Sequence, residues 1–219
     1  GVEVGKDLPF DDLRAEGYAA ILLAVGGHKQ RALNVPGEGL EGVLEGVAML
    51  RHHALGEPLE LGEHVLVIGG GDVAVDSARV AIRRGSRVTL CYRRRFEDRP
   101  ARRDEVEEAI AEGVEIVDQL QPVEIVGEDG RVVGVRCART RATVPGPDGR
   151  IGFEIVPGSE ELVGCDTVVI AIGQLPDIGW LQGTGLEELC NCDLVAADAT
   201  TGATCRLDVF ACGDCVTGP

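Results

Sequence analysis

Short apolar runs closed by glycine recur along this chain. Tyr18–Val25 ends at Gly26-Gly27, Val65–Ile68 at Gly69, Asp166–Ile172 at Gly173 and Asp208–Cys212 at Gly213. Runs this short, apolar throughout and bounded by turn residues, read as strands buried on both faces, the mark of a parallel sheet. Gly46–Leu55 reads instead as a helix, with Val47, Leu50 and Ala54 on one face. From residue 64 the pattern predicts strand 64–68, helix 72–84, strand 87–92, helix 103–112 and strand 114–117. Asp104, Glu107 and Glu108 enrich the start of the second of these helices in acids, as the helix dipole favours.

The period then changes. Val123–Val126 and Arg131–Arg139 flank Glu128-Asp129-Gly130, a hairpin signal. A second polar loop at Pro145–Arg150 places another antiparallel strand near Phe153–Val156. The expectation is a small antiparallel meander inserted in a parallel sheet. Residues 34–42, rich in glycine and turn formers, read as a crossing between domains.

The run Val65-Leu-Val-Ile-Gly-Gly-Gly-Asp-Val-Ala-Val-Asp76 carries the first candidate chemistry. Gly69, Gly71 and Ala74 have the G-x-G-x-x-A spacing of a Rossmann-type dinucleotide site, placed between a predicted strand and a predicted helix. Gly69 permits the tight turn, Gly71 lets a pyrophosphate approach the backbone, and Ala74 lets the helix pack closely on the strand. The phosphates would rest on the free N–H groups at the helix start. The candidate cofactor-binding segment is therefore Gly69, Gly70, Gly71, Asp72, Val73 and Ala74. Asp72 opens the predicted helix.

About twenty residues on, an NAD site places an acid against the ribose 2′-hydroxyl. Here strand 87–92 is followed by Arg93-Arg94-Arg95, and the first carboxylate is Glu97. A planar guanidinium suits a phosphate monoester, so the expected ligand is NADP(H), held by Arg93 and Arg94 ahead of Arg95. The plainer alternative is a solvated basic loop. Charge bears on the choice: the chain has a net charge of −16, yet ten of its 21 basic residues fall within 79–103, beside only two acids, Glu97 and Asp98. A local basic zone on an acidic chain fits a small anion. Nucleic acid would call for a broader basic face with stacking aromatics, which are only 3% of this chain, so no nucleic-acid partner is expected.

With 219 residues and 44% hydrophobic content, the chain can bury a sizeable core. No run approaches the roughly 18 apolar residues of a membrane span, so no membrane partner is expected. The start has no signal-peptide pattern, and the eight cysteines do not make a small secreted disulfide scaffold. Cytoplasmic location with reduced thiols is the default. Cys212-Gly-Asp-Cys215 reads as structural or, alternatively, as a redox pair. Its spacing from Cys190, Cys192 and Cys205 matches no metal-ligand pattern, so no metal site is expected. His52-His53 read as a helix end without a catalytic role, and Arg103 and Glu105 as structural. No nucleophile–base pair or acidic dyad stands out, and no catalytic side chain is expected.

Ile68 to Asp76, Tyr92-Arg-Arg, Pro100, Glu105, Ala171-Ile-Gly-Gln-Leu-Pro176 and Val209-Phe-Ala-Cys-Gly-Asp214 come in an order that resembles the FAD/NAD(P)-dependent pyridine-nucleotide oxidoreductases. The likeness is strongest to the glutamate synthase small-subunit (β chain) type. It implies an α/β fold in which a Rossmann-type NADPH domain, residues 37–175, interrupts an FAD domain represented by residues 1–36 and 176–219. It also implies flavin-side roles for Gly26, Gly213 and Asp214, a cofactor-side role for Gly173 and, for Asp72, either a helix cap or a contact to the ribose on the nicotinamide side. The implied activity is transfer of hydride from NADPH to FAD and on to Fe–S centres or a large catalytic partner subunit. A ferredoxin–NADP reductase or dihydropyrimidine dehydrogenase-like subunit is the alternative within the class, and a non-catalytic nucleotide-binding module the alternative outside it. The family's first FAD glycine fingerprint is missing, as is the helix that should follow Gly213-Asp214. The expectation is an excised fragment, inactive alone, that holds NADP(H) while FAD belongs to the full-length protein.

Overall fold

The chain leaves one compact unit, builds a second, and returns to the first. In the computed structural model, Gly1–Arg31 and Gln174–Pro219 form the first unit and Ala32–Gly173 the second. The structure describes residues 1–145, 151–182, 186–191 and 193–218. Most of the polar loop read at 145–150 lies outside them, as does Cys192.

The first unit opens with α1 (Phe10–Ala15), β1 (Ile21–Leu23) and β2 (Lys29–Gln30). The sequence suggests a fully buried strand from Tyr18 to Val25, but only three residues pair, and Tyr18 and Leu22 are exposed. Among the described residues β1 pairs only with β15, and its middle residue, Leu22, points away from the core that buries Leu23.

The second unit runs β3 (Val43–Glu45), α2 (Gly46–Leu55), β4 (His64–Gly69), α3 (Asp72–Arg83), β5 (Arg87–Tyr92), α4 (Arg103–Ala111) and β6 (Glu115–Asp118). It continues with β7 (Leu120–Glu128), β8 (Arg131–Pro145), β9 (Ile151–Ile155), β10 (Glu161–Gly164) and β11 (Thr167–Ala171). Five strands form a parallel sheet in the order β3-β11-β4-β5-β6. Alternation along β4 divides the core. Val65 and Val67 pack with Met49 of α2, Ala74, Val75 and Ala78 of α3, and Val106 and Ala109 of α4. Leu66 and Ile68 pack on the opposite face with Leu120, Ile125, Val135 and Cys137. Fully burying a valine or leucine contributes about 1.5–3 kcal/mol, so each strand is held from both sides.

The meander is inserted in the chain, not in the parallel sheet. β7, β8, β9 and β10 make a separate antiparallel layer on the face opposite the helices. Its first turn is the expected hairpin: Asp129 and Gly130 have φ of 50° and 83°, the paired positive values that a tight type I′ turn requires. β3 and β10 have no counterpart in the sequence reading. Each is short, and neither has an alternating pattern long enough to stand out. The helix at 46–55 is present, but its buried residues are Gly46 and Met49, while Ala54 is exposed. Gly46 packs so closely on Ala171 and Val73 that a Cβ there would lie 3.1 Å from both side chains. That approach rotates Met49 inward.

The return segment adds β12 (Gln174–Leu175), antiparallel to β2, then the pair β13 (Cys190–Asn191) and β14 (Leu194–Val195), and β15 (Val209–Ala211), parallel to β1. Phe10, Leu23, Leu181, Leu189, Val209 and Cys215 share its core. The helix expected to be missing after Gly213-Asp214 is begun: α5 (Asp214–Thr217) makes one turn, entered through Gly213 at φ 74°. Among the described residues, no helix is long and apolar enough to cross a membrane.

Candidate dinucleotide site

The site candidates of the second unit gather at the carboxyl ends of three adjacent strands. Gly173 follows β11, Gly69 ends β4 with Gly70 and Gly71 after it, and Arg93 and Arg94 follow β5. In this sheet β5 and β6 extend to one side of β4 and β11 lies on the other. The strand order thus reverses beside β4, where open α/β sheets bind ligands.

Three glycines stand in the turn for three different reasons. Gly69 has φ 154°, and a Cβ on it would fall 2.2 Å from the carbonyl oxygen of Ala171 and 2.9 Å from the Ala74 Cβ. It is required by β11 and by the close packing of α3. Gly70 faces Tyr92, whose ring carbons would lie 2.4 Å from an added Cβ. Gly71 is sterically free, with only Pro100 Cγ at 3.9 Å. Gly71 therefore borders open space at the start of a helix, and no side chain caps that helix. The uncapped first turn offers N–H groups and a positive dipole end to an anion.

The cap reading of Asp72 fails. It lies one residue inside α3, and its carboxylate accepts the N–H of Arg102 at 3.1 Å. Arg102 immediately precedes α4, so Asp72 ties the starts of the two helices together. Val73 packs at the edge of the helix-side core and Ala74 is fully buried in it.

The arginine run is sorted by its partners. Arg95 is bound to Asp98 at 2.9 Å and to Glu97 at 3.3 Å. Arg99 is buried, lies over the rings of Tyr92 and Phe96, and pairs with Asp118. Arg102 pairs with Asp104 and Glu105, and Arg103 with Glu107. Among the described residues, Arg93 and Arg94 alone of this run make no ion pair. Arg94 also has a buried Nε without a hydrogen-bond partner. Loss of solvent, and next the adjacent Arg94, draw the Arg93 guanidinium below its ordinary pKa. Two neighbouring cations without an ion-pair partner among the described residues suit a bound dianion.

These residues fit a dinucleotide phosphate: open backbone at Gly71, a free helix start and, just after the next strand, two guanidinium groups without an ion-pair partner among the described residues. The sequence reading missed Thr140 and Phe153, both of which touch Arg93. The Thr140 hydroxyl donates to the Arg93 carbonyl at 2.7 Å, and Arg93 Cζ lies 4.8 Å from the Phe153 ring centroid. They are 47 and 60 residues away in the chain, and no local pattern marks them.

In the first unit, Gly26 and Gly213 follow β1 and β15, which are parallel neighbours in register from Ile21–Val209 to Leu23–Ala211. Both glycines have positive φ, and Gly213 and Asp214 are exposed. Cys215 is buried, and its thiol donates to the carbonyls of Cys212 and Leu23, whereas Cys212 is exposed. The two sulfurs do not form a disulfide. Burial pushes the Cys137 and Cys165 thiols up to about 12. No group of three or more metal-ligating side chains occurs among the described residues.

The family described as pyridine nucleotide-disulphide oxidoreductase matches residues 3–219. The glutamate synthase (NADPH) small chain of Halomonas elongata is 40% identical over all of this chain and 49% of its own length. The NADPH-Fe(3+) oxidoreductase subunit beta of Geobacter sulfurreducens is 41% identical over 81% of this chain and 27% of its own. The chain thus spans about half the length, or less, of these curated relatives. Among solved structures, T. acidophilum thioredoxin reductase superposes with a TM-score of 0.69 at 22% identity, over 91% of this chain and 58% of its own. That likeness is one of fold.

Proposed function

Because the chain belongs to the pyridine nucleotide-disulphide oxidoreductase family, we propose that Ala32–Gly173 is the NADP(H)-binding part of a flavin-dependent oxidoreductase. One observation carries the choice of coenzyme. Among the described residues, Arg93 and Arg94 beside the glycine turn have no ion-pair partner, while the arginines around them are paired. Gly69–Ala74 would seat the pyrophosphate, with Gly173 beside the turn, and the two guanidinium groups would take the 2′-phosphate. In the first unit, Gly26, Gly213 and Asp214 would lie against FAD in the full-length protein. When bound, the nicotinamide supplies a hydride and the flavin accepts it, so the protein's part is to bind and orient.

The reading extends to a subunit of the glutamate synthase small-chain type, delivering electrons to Fe–S centres or to a larger partner subunit. The names of the relatives support it: each of the two above is a chain of a multi-subunit enzyme. The test is flavin reduction in the full-length protein, followed by its absorbance, with NADPH and NADH compared and an artificial electron acceptor added. Bleaching of bound flavin by NADPH and turnover of the acceptor are expected. A protein that binds NADPH but has no flavin and no turnover would be a nucleotide-binding module, and the oxidoreductase reading would fall.

A further inference from the structure

The backbone of both candidate arginines is held from the antiparallel layer. The buried Thr140 on β8 donates its hydroxyl to the Arg93 carbonyl at 2.7 Å. The N–H of Gln119, between β6 and β7, donates to the Arg94 carbonyl at 3.1 Å. Gln119 and Thr140 are also closed on each other: the Thr140 N–H donates to the Gln119 carbonyl at 2.9 Å, and Gln119 Nε2 donates to the Thr140 carbonyl at 3.2 Å. Gln119 adopts φ 55°, uncommon for a residue with a Cβ, and this clasp holds it there. Phe153 on β9 then covers one face of the Arg93 guanidinium.

A long arginine on an exposed loop has many rotamers, and fixing one of them opposes ligand binding. Stacking on an aromatic ring restricts the guanidinium before the ligand arrives and leaves its N–H edge free for phosphate oxygens. Pinning the carbonyl of the same residue fixes where the side chain starts. Arg93 is the residue of this run held in both ways and left without an ion-pair partner among the described residues.

We propose that Phe153 and Thr140 are positioning residues for discrimination between coenzymes with and without a 2′-phosphate. The meander would then be a specificity element built onto the dinucleotide fold. This rests on the assignment of the 2′-phosphate to Arg93.

The experiment titrates 2′,5′-ADP and 5′-AMP, which differ only in the 2′-phosphate, into full-length protein by calorimetry. Wild type is compared with Phe153→Ala, Phe153→Tyr, Thr140→Val and Thr140→Ser. A lost cation–π contact at a partly exposed site is worth about two- to fivefold in affinity, and lost pre-organisation adds to it. Phe153→Ala should therefore weaken 2′,5′-ADP about three- to tenfold and leave 5′-AMP unchanged. Phe153→Tyr should restore the wild-type ratio, and Thr140→Ser should keep what Thr140→Val loses. Equal losses for both ligands would reduce the two residues to a structural role and overturn the proposal. So would no change in either ligand. A wild-type protein that does not distinguish the two ligands would instead overturn the assignment of Arg93 on which the proposal rests.

Discussion

The ring of Tyr92 occupies the space that a side chain on Gly70 would need. A Cβ at Gly70 would fall 2.4 Å from Cδ2 and Cε2 of Tyr92. The ring is held in place: its hydroxyl donates to the Asp98 carbonyl at 3.0 Å and Arg99 lies over its face. The last residue of β5 thus shapes the turn that follows β4. Gly71, one position on, meets nothing closer than 3.9 Å.

This contrast predicts different outcomes for two conservative changes. Gly70→Ala should destabilise the protein by about 1–3 kcal/mol, the range for forced overpacking. Gly71→Ala should leave stability within about 0.5 kcal/mol of wild type, as a surface change does. It should still weaken NADPH about tenfold or more, since a hydrogen bond to a charged group contributes about 1.5–3 kcal/mol. Thermal melts and coenzyme titrations on the same samples separate the two effects. If Gly71→Ala binds NADPH like wild type, the pyrophosphate does not sit on this turn.

Coenzyme choice is tested at the arginines. Arg93→Ala with Arg94→Ala should weaken NADPH about ten- to a hundredfold, toward the low end because the loop is partly solvated, and leave NADH nearly unchanged. Titration of both coenzymes against both proteins reads this out. Equal losses would mean that the arginines serve the fold or the shared pyrophosphate.

Arg99 and Asp118 form a pair whose arginine side chain is only 3% exposed. Asp118→Ala leaves that guanidinium buried and uncompensated, at an expected cost of about 3–5 kcal/mol. Arg99→Met removes the buried charge with a side chain of similar length and should cost distinctly less. Urea denaturation of the two variants decides it. Equal losses would place the contribution of Arg99 in its packing between Tyr92 and Phe96 and not in its charge.

Helices α3 and α4 are joined by Glu112, which accepts from Arg79 and Arg83. These bonds hold its carboxyl at about 2, below the ordinary 4.5. A carboxylate with a lowered folded-state pKa stabilises fully above its unfolded value and loses that stabilisation as pH falls through the folded one. Glu112→Gln should therefore cost about 0.5–1 kcal/mol at neutral pH, the scale of a solvent-screened ion pair. The gap from wild type should close between about pH 4.5 and pH 2. Stability measured across that range checks it. A gap that persists at pH 2 would show that the loss is not electrostatic.

The parts of the site legible in the sequence are those governed by local requirements. A buried strand, a turn that admits no Cβ and a helix that starts without a cap each leave a mark within a few residues. Strand 64–69 and helix 72–83 accordingly stand within one residue of where the pattern puts them. The arginine run was equally plain, as was the Asp129-Gly130 hairpin. The inward face of α2 was misread because the closest contact is made by a glycine, Gly46, which carries no hydrophobic signal.

The order of elements, the glycine turn after β4 and the basic run after β5 follow from residue type along the chain. Steric and hydrogen-bonding demands between chain neighbours write these into residue type. Which arginines keep an ion-pair partner depends on contacts between distant parts of the chain. Asp118 reaches Arg99 across 19 residues, and Thr140 and Phe153 reach Arg93 across 47 and 60. That the meander forms a second layer over the sheet depends on such contacts too. Counter-charges and supports such as these come from strands that meet only on folding, so no window along the chain contains both partners.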